Sequence, residues 1–126
     1  MFIKEFLANT VLNEHDNEKL SKIQMLYGSH LSEEVTRIIS KMNMIDSIFF
    51  DDEDFVKLLS VEEVIDASCD MNVDFVKHNI IPIFDIGDND YISFNLKKCN
   101  WCKFNIVDEI SFSFKASVDD FFKSEV

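Results

Sequence analysis

One stretch decides the fold: residues 80–96 read IIPIFDIGDNDYISFNL. An apolar strand leads into a tight turn that carries Gly87, and a second strand alternates apolar and polar residues. Gly87 can take a positive φ in such a turn, and Asp and Asn tolerate the same backbone region. Three carboxylates lie in or beside the turn: Asp85, Asp88 and Asp90. The stretch predicts a β-hairpin that holds an acidic loop at the rim of a rigid sheet, which suits binding a partner better than breaking bonds.

The alternation of apolar and polar residues continues along the rest of the chain. The apolar positions are Ile92, Phe94 and Leu96, then Cys102, Phe104 and Ile106, then Ile110, Phe112 and Phe114. A period of two, joined by short turns, is typical of antiparallel strands with one buried face and one solvent-facing face. Pro82 lacks a backbone N–H, so we expect it at a strand start, an edge or a bulge.

The first half of the chain carries helix signals. Asp16 or Asn17 can cap a helix that Gly28 ends, and Ser32 can cap a helix with apolar residues at the 3.6 period. Ser60 and Glu63 form a capping box. The predicted elements are helices at 2–7, 16–27, 32–42, 60–67 and 117–122 and strands at 45–50 and 55–59, with irregular chain at 68–78. We therefore predict an α+β fold, a twisted antiparallel meander with helices packed on one face.

Size and composition indicate a single domain spanning residues 1–126. The chain has 47% hydrophobic residues, including 13 Phe, but only two Gly and one Pro, so it can form an ordinary core and has little room for linkers. No apolar run reaches the length of a membrane span, and Glu5 interrupts an N-terminal stretch too short for a secretory signal. Three cysteines cannot all pair within one chain. We expect a cytoplasmic protein.

The charge is strongly asymmetric, because 24 acidic residues face 12 basic ones and give a formal net charge of −12. Such a field repels nucleic-acid phosphates and anionic membranes, and it attracts basic partners. Acidity of this kind also serves solubility alone. We expect no nucleic-acid or membrane partner.

Few residues suggest chemistry. Cys99 and Cys102 form a CxxC spacing, but they fall at a predicted hairpin turn and not at a helix N-terminus, where a redox pair needs its first Cys. No second paired spacing supports a zinc site completed by Cys69 and His78, so we expect a core-and-turn role. The aspartates of residues 85–90 do not form a calcium loop, because Leu96 stands where the twelfth-position acid is needed. No nucleophile, phosphate-loop or metalloprotease motif is present. We expect a protein that is not an enzyme and has no metal or cofactor.

The candidate partner-binding residues lie on the predicted hairpins. Trp101, the only tryptophan, is either an exposed anchor at a hairpin tip or a side chain packed against the sheet edge. Asp108 and Glu109 can be solvated turn residues or partner contacts. The full set is Asp85, Asp88, Asp90, Trp101, Asp108 and Glu109, with Asp51, Asp52 and Asp54 in reserve.

Four short segments resemble, in order, the SUKH superfamily (Smi/Knr-like proteins) between residues 20 and 122. They are residues 31–43, where Ser32 replaces a common proline, and residues 58–64, 81–92 and 117–122. The resemblance implies a non-enzymatic binding module, and bacterial members of this superfamily resemble immunity proteins that neutralise a cognate toxin, often a nuclease. An alternative is a regulatory or scaffolding module, like the cell-wall-synthesis regulators of the superfamily. A monomer is presumed.

Overall fold

The computed structural model describes residues 16–28, 31–42 and 57–121. The helices are α1 (Asp16–Tyr27), α2 (Glu33–Met42), α3 (Val61–Met71), α4 (Phe75–His78) and a 3₁₀ helix (Val118–Phe121). The strands are β1 (Lys57–Leu58), β2 (Ile80–Gly87), β3 (Asp90–Asn95), β4 (Asn100–Asn105) and β5 (Ile110–Lys115). They form one antiparallel sheet in the order β1-β2-β3-β4-β5. The predicted α+β class with an antiparallel meander is confirmed.

The predicted helix boundaries are confirmed at three points where local hydrogen bonds define them. Ser32 Oγ accepts the backbone N–H of Val35 at the start of α2. Ser60 Oγ accepts the N–H of Glu63 at 3.1 Å while the Glu63 carboxylate accepts the N–H of Ser60 at 3.1 Å, which completes the capping box of α3. Gly28 follows α1 with φ 100°, a region that glycine adopts without strain.

The β2–β3 hairpin follows the sequence prediction closely. Gly87, Asp88 and Asn89 have φ values of 88°, 56° and 65°, and residues 88 and 89 form the two-residue turn. Positive φ at both central positions matches the twist of the flanking strands. The pairing of β2 with β3 shifts register between Pro82 and Phe84, so the proline lies beside a bulge, as its missing N–H requires.

The central strands are buried on both faces, which corrects two expectations. Phe94 and Trp101 lie on one face, and they belong to the main core together with residues of α2. Cys102 and Phe104, at the opposite parity of β4, pack with Phe75 of α4 and Ala67 of α3. Helices therefore cover both faces, and not one face as predicted. Ser93, expected on a wet face, is fully buried.

Strand β5 also differs from the expected pattern. Ile110 is 52% exposed and Phe114 is 39% exposed, although both were predicted on the buried face. The pairing with β4 shifts register between Trp101 and Lys103, and Ser113 takes φ 53°. The bulge falls between Phe112 and Lys115 and so affects only the end of the strand. In the first half, Ser111 pairs with the buried Phe104, whereas Ile110 pairs with Asn105 and Phe112 with Lys103. Within the described residues β5 also has a neighbouring strand on one side only. The alternation therefore does not predict burial here.

The segment 68–78, predicted to be irregular, is largely helical. Helix α3 continues to Met71, Asn72 caps it in the left-handed region, and α4 follows after two residues. The Ser68 hydroxyl accepts the N–H of Phe75 at 3.2 Å and ties the two helices together. The final segment is a 3₁₀ helix that buries Val118. The predicted helix at 2–7, strand at 45–50, residues 51–56 and Phe122 lie outside the described residues.

Candidate partner-binding surface

Two hairpin turns lie side by side at one end of the sheet. Because adjacent strands are antiparallel, the β2–β3 turn (residues 88 and 89) and the β4–β5 turn (residues 106–109) emerge at the same end. The N–H of Ile106 donates to the carbonyl of Asn89 at 3.0 Å and joins the two turns. This brings together five of the predicted site residues: Asp85, Asp88, Asp90, Asp108 and Glu109. We call these five carboxylates the acidic end of the sheet.

Asn105 organises the acidic end, and the sequence prediction missed it. Its Oδ1 accepts the N–H groups of Val107 at 3.0 Å and Asp108 at 2.9 Å, which forms an Asx turn. Its Nδ2 donates to Asp90 Oδ1 at 2.8 Å. One amide side chain therefore fixes the second turn and ties it to the first hairpin. An Asn at the start of a short polar turn is the signal that sequence inspection could have used.

Glu109 is held from the helix side. It takes φ 53°, and its Oε1 lies 3.2 Å from His78 Nε2 at the end of α4. The His78 ring in turn packs against Phe104, with 5.6 Å between ring centroids. The position of this carboxylate is therefore set by both α4 and β4.

Asp85 differs from the other four because it lies in a polar row across β1, β2 and β3. Its Oδ1 accepts the N–H of Gly87 at 3.0 Å, and Lys57 and Tyr91 are its cross-strand neighbours. Burial raises the pKa of Tyr91, and the nearby carboxylates of Asp85 and Glu63 raise it further. Asp85 is thus half-buried and structural, whereas Asp88, Asp108 and Glu109 are exposed.

Glu63 of α3 contacts this polar row through Lys57. Burial by itself raises its pKa, but hydrogen bonds from Lys57 and Ser60 and the Lys57 charge outweigh burial, so the pKa lies below its ordinary value. Lys57 Nζ lies 2.9 Å from Glu63 Oε2. The N-terminus of α3 is thereby attached to β1, which pairs with β2 beside Asp85.

Trp101 does not lie on this surface. It lies in β4, not at the hairpin tip, and only 1% of it is exposed. Its ring meets Phe94 edge-on, with 5.3 Å between centroids. Of the two alternatives that the sequence left open, the structure shows the packed one, so Trp101 has almost no area to offer a partner. Asp51, Asp52 and Asp54 lie outside the described residues.

Comparison of the chain with protein-family models, with curated proteins and with solved structures finds no match. The SUKH resemblance therefore stays a prediction that depends on the four short segments.

The three cysteines differ in their exposure to solvent. Cys69 and Cys99 are exposed, Cys102 is buried, and all three thiols are free. Burial raises the pKa of Cys102 to about 11, despite a hydrogen bond with Ser111 and the nearby charge of Lys98, which lower it. Within residues 16–28, 31–42 and 57–121, no group of three or more His, Cys, Asp or Glu side chains is placed to hold a metal ion. In the same part of the chain, no helix is long and apolar enough to cross a membrane.

Apolar side chains border the acidic end. Val107, inside the β4–β5 turn, is 68% exposed, and Ile110 at the start of β5 is 52% exposed. Carboxylates beside exposed aliphatic groups can form both ion pairs and a desolvated contact with a partner. Among the described residues, Asp88 and Asp108 take part in no ion pair. The arrangement is suited to binding a protein surface that presents basic and apolar groups.

Proposed function

We propose that this chain is a non-enzymatic binding module, a bacterial immunity protein that neutralises a cognate toxin by direct binding in the cytoplasm. The observation that carries the proposal is the acidic end of the sheet. Two neighbouring hairpins contribute five carboxylates to one end of the sheet, and the Ile106–Asn89 hydrogen bond and the Asn105 side chain join the two turns. The SUKH resemblance supports the immunity role, and the net charge of −12 supports an electrostatic mechanism.

Electrostatics makes a nuclease a suitable target. A nuclease must present basic residues to the phosphates of its substrate, so a rigid array of carboxylates can occupy the same site. Opposite charges also raise the association rate, because they steer the two proteins before contact. An immunity protein benefits directly from fast capture of a toxin.

Co-expression tests the proposal. The full chain is produced together with the protein encoded by the adjacent gene, and the two are purified through a tag on one of them. We expect a stoichiometric complex whose association rate falls as the salt concentration rises. Failure to co-purify would contradict the immunity proposal, and a complex whose association rate ignores salt would contradict the electrostatic mechanism.

A further inference from the structure

The outer edge of β5 is the most exposed apolar part of the sheet. Within the described residues, β5 pairs with β4 on one side and with no strand on the other. Ile110 and Phe114 are exposed along it, and Val107 is exposed in the turn just before it. An edge strand with exposed apolar side chains is a typical site for pairing with another chain.

Charge is distributed unevenly along this edge. Asp108 and Glu109 precede β5 and lie at the acidic end. Lys115 ends the strand, and Lys98 Nζ lies 4.1 Å from the ring centroid of Phe114 near the same end. Both lysines are exposed. The edge therefore has acids at its start, apolar groups along it and lysines at its end.

We infer that β5 is a self-association surface and that its occupant is a second copy of this chain. In an antiparallel arrangement about a two-fold axis near Phe112, the Asp108 and Glu109 end of each copy lies beside the Lys115 end of the other. A two-fold interface is self-complementary, so this attraction is made twice. The pairing also removes from water part of the apolar surface that Ile110 presents at this edge. The inference does not rest on the proposed toxin binding, but Asp108, Glu109 and Ile110 belong to both surfaces, so a dimer of this kind would compete with a toxin for them.

Two features of the chain limit the strength of this dimer. Each copy carries a net charge of −12, so two copies repel each other on average. The antiparallel β5 contact offsets part of this repulsion, because it places opposite charges closest together. The bulge at Ser113 also interrupts the regular ladder, and bulges weaken edge pairing. Side-chain contacts and ion pairs therefore provide much of the affinity, and the dimer is reversible.

Sedimentation equilibrium over a concentration series tests the inference on the full chain. We expect the mass to rise from 14.7 kDa towards twice that value with increasing concentration. Lys115→Glu places like charges together at both ends of the interface and is expected to raise the dimer dissociation constant about tenfold or more. Glu109→Lys has the same effect, and the double variant Glu109→Lys/Lys115→Glu restores association, because the two charges are exchanged.

Matched variants separate a specific interface from general stickiness. Ile110→Ser is expected to weaken the dimer, whereas Met25→Ser, at an 85% exposed position on α1, leaves it unchanged. Glu109→Gln retains a hydrogen-bonding group for His78, so weakening by Glu109→Gln as well as Glu109→Lys assigns the effect to charge. A strictly monomeric chain would overturn the inference. A dimer that is insensitive to Lys115→Glu and Ile110→Ser would do so too, because a different surface would then form it.

Discussion

Asn105 shows how one neutral side chain can define a charged surface. Its amide satisfies two backbone N–H groups of the β4–β5 turn and one carboxylate oxygen of the β2–β3 hairpin. An amide can do this because it offers an acceptor and a donor at once. Neither an aliphatic residue nor a carboxylate meets both requirements. The positions of Asp90 and Asp108 therefore depend on the chemistry of Asn105.

Two substitutions at Asn105 test this dependence. Asn105→Ala removes three hydrogen bonds and is expected to lower the free energy of unfolding by about 1–3 kcal/mol at any pH between 5 and 8. Asn105→Asp keeps the bonds to the two N–H groups but places a second carboxylate against Asp90, which raises a folded-state pKa of the pair. Its stability relative to wild type is therefore lost as pH rises through that pKa and recovered on acidification. Urea unfolding at pH 7 and pH 4.5 measures both effects, and identical pH profiles for the two variants would contradict the account.

Glu63 gives a second pH-dependent prediction. The pKa of Glu63 in the folded state lies below its ordinary value. The ionised carboxylate therefore stabilises the fold above the unfolded-state pKa of about 4.3, and this stabilisation is lost as the pH falls through the folded-state pKa. Glu63→Gln keeps the capping box, because Gln also serves at this position, but it removes the charge that pairs with Lys57 and faces the helix N-terminus. It is therefore expected to cost about 0.5–1 kcal/mol at pH 7 and less at pH 3. Asp66→Asn, an exposed acid on the same helix, is the control and is expected to change stability little at either pH. An equal Glu63→Gln cost at pH 7 and at pH 3 would show that the carboxylate charge is not what matters.

The three thiols are expected to differ in reactivity. Cys69 and Cys99 are exposed, while burial keeps the pKa of Cys102 at about 11, so little thiolate forms at pH 8. Alkylation of the native protein with intact-mass readout is expected to add two groups quickly and the third only in denaturant. Rapid labelling of all three would contradict the burial of Cys102, and protection of Cys99 would indicate an engaged CxxC pair.

At the scale of elements, the sequence predicts best where a local hydrogen bond or a required φ defines a boundary. The α3 capping box and the Gly87 turn are of this kind. The sequence prediction ended α3 too early and missed α4, because the residues that end these helices are Asn72 and Asn79 and not the more recognisable Gly. Both take left-handed φ values, 55° and 58°.

Burial was harder to predict than secondary structure. The period of two shows which side chains share a face, but it cannot show whether a helix from elsewhere covers the other face. Phe75 covers Phe104 in this way, with 5.6 Å between ring centroids. The bulge at Ser113 then shifts the last residues of β5 by one position. The acidic end was predicted in part, since its carboxylates were identified but not the contacts that join the two turns.

The burial of Trp101 within the sheet makes it a reporter of the core. We expect blue-shifted fluorescence and weak quenching by acrylamide in the native protein. Trp101→Phe leaves space beside Phe94 and is expected to lower the free energy of unfolding by about 1–3 kcal/mol. Emission and quenching typical of solvent-exposed indole would contradict the packing against Phe94.

At the scale of the whole molecule, net charge and its placement have different consequences. A formal charge of −12 favours solubility and attracts basic partners in general. Specific binding requires that some carboxylates be held rigidly together, and the two joined turns do this at one end of the sheet. Exposed acids elsewhere, such as Asp66 and Asp70 on α3, contribute to the field but lie outside that arrangement. This contrast supplies a matched pair of variants for the central claim.

The most direct measurement is protection of cells that express the adjacent-encoded protein, compared for two double variants of equal net charge. Asp88→Asn/Asp108→Asn neutralises the acidic end, and Asn tolerates the left-handed φ of position 88. Asp66→Asn/Asp70→Asn neutralises two exposed acids of α3. We predict that wild type and the α3 variant protect, and that the acidic-end variant associates with its partner several-fold more slowly and protects less. Equal protection by both variants, or no protection by wild type, would contradict the account.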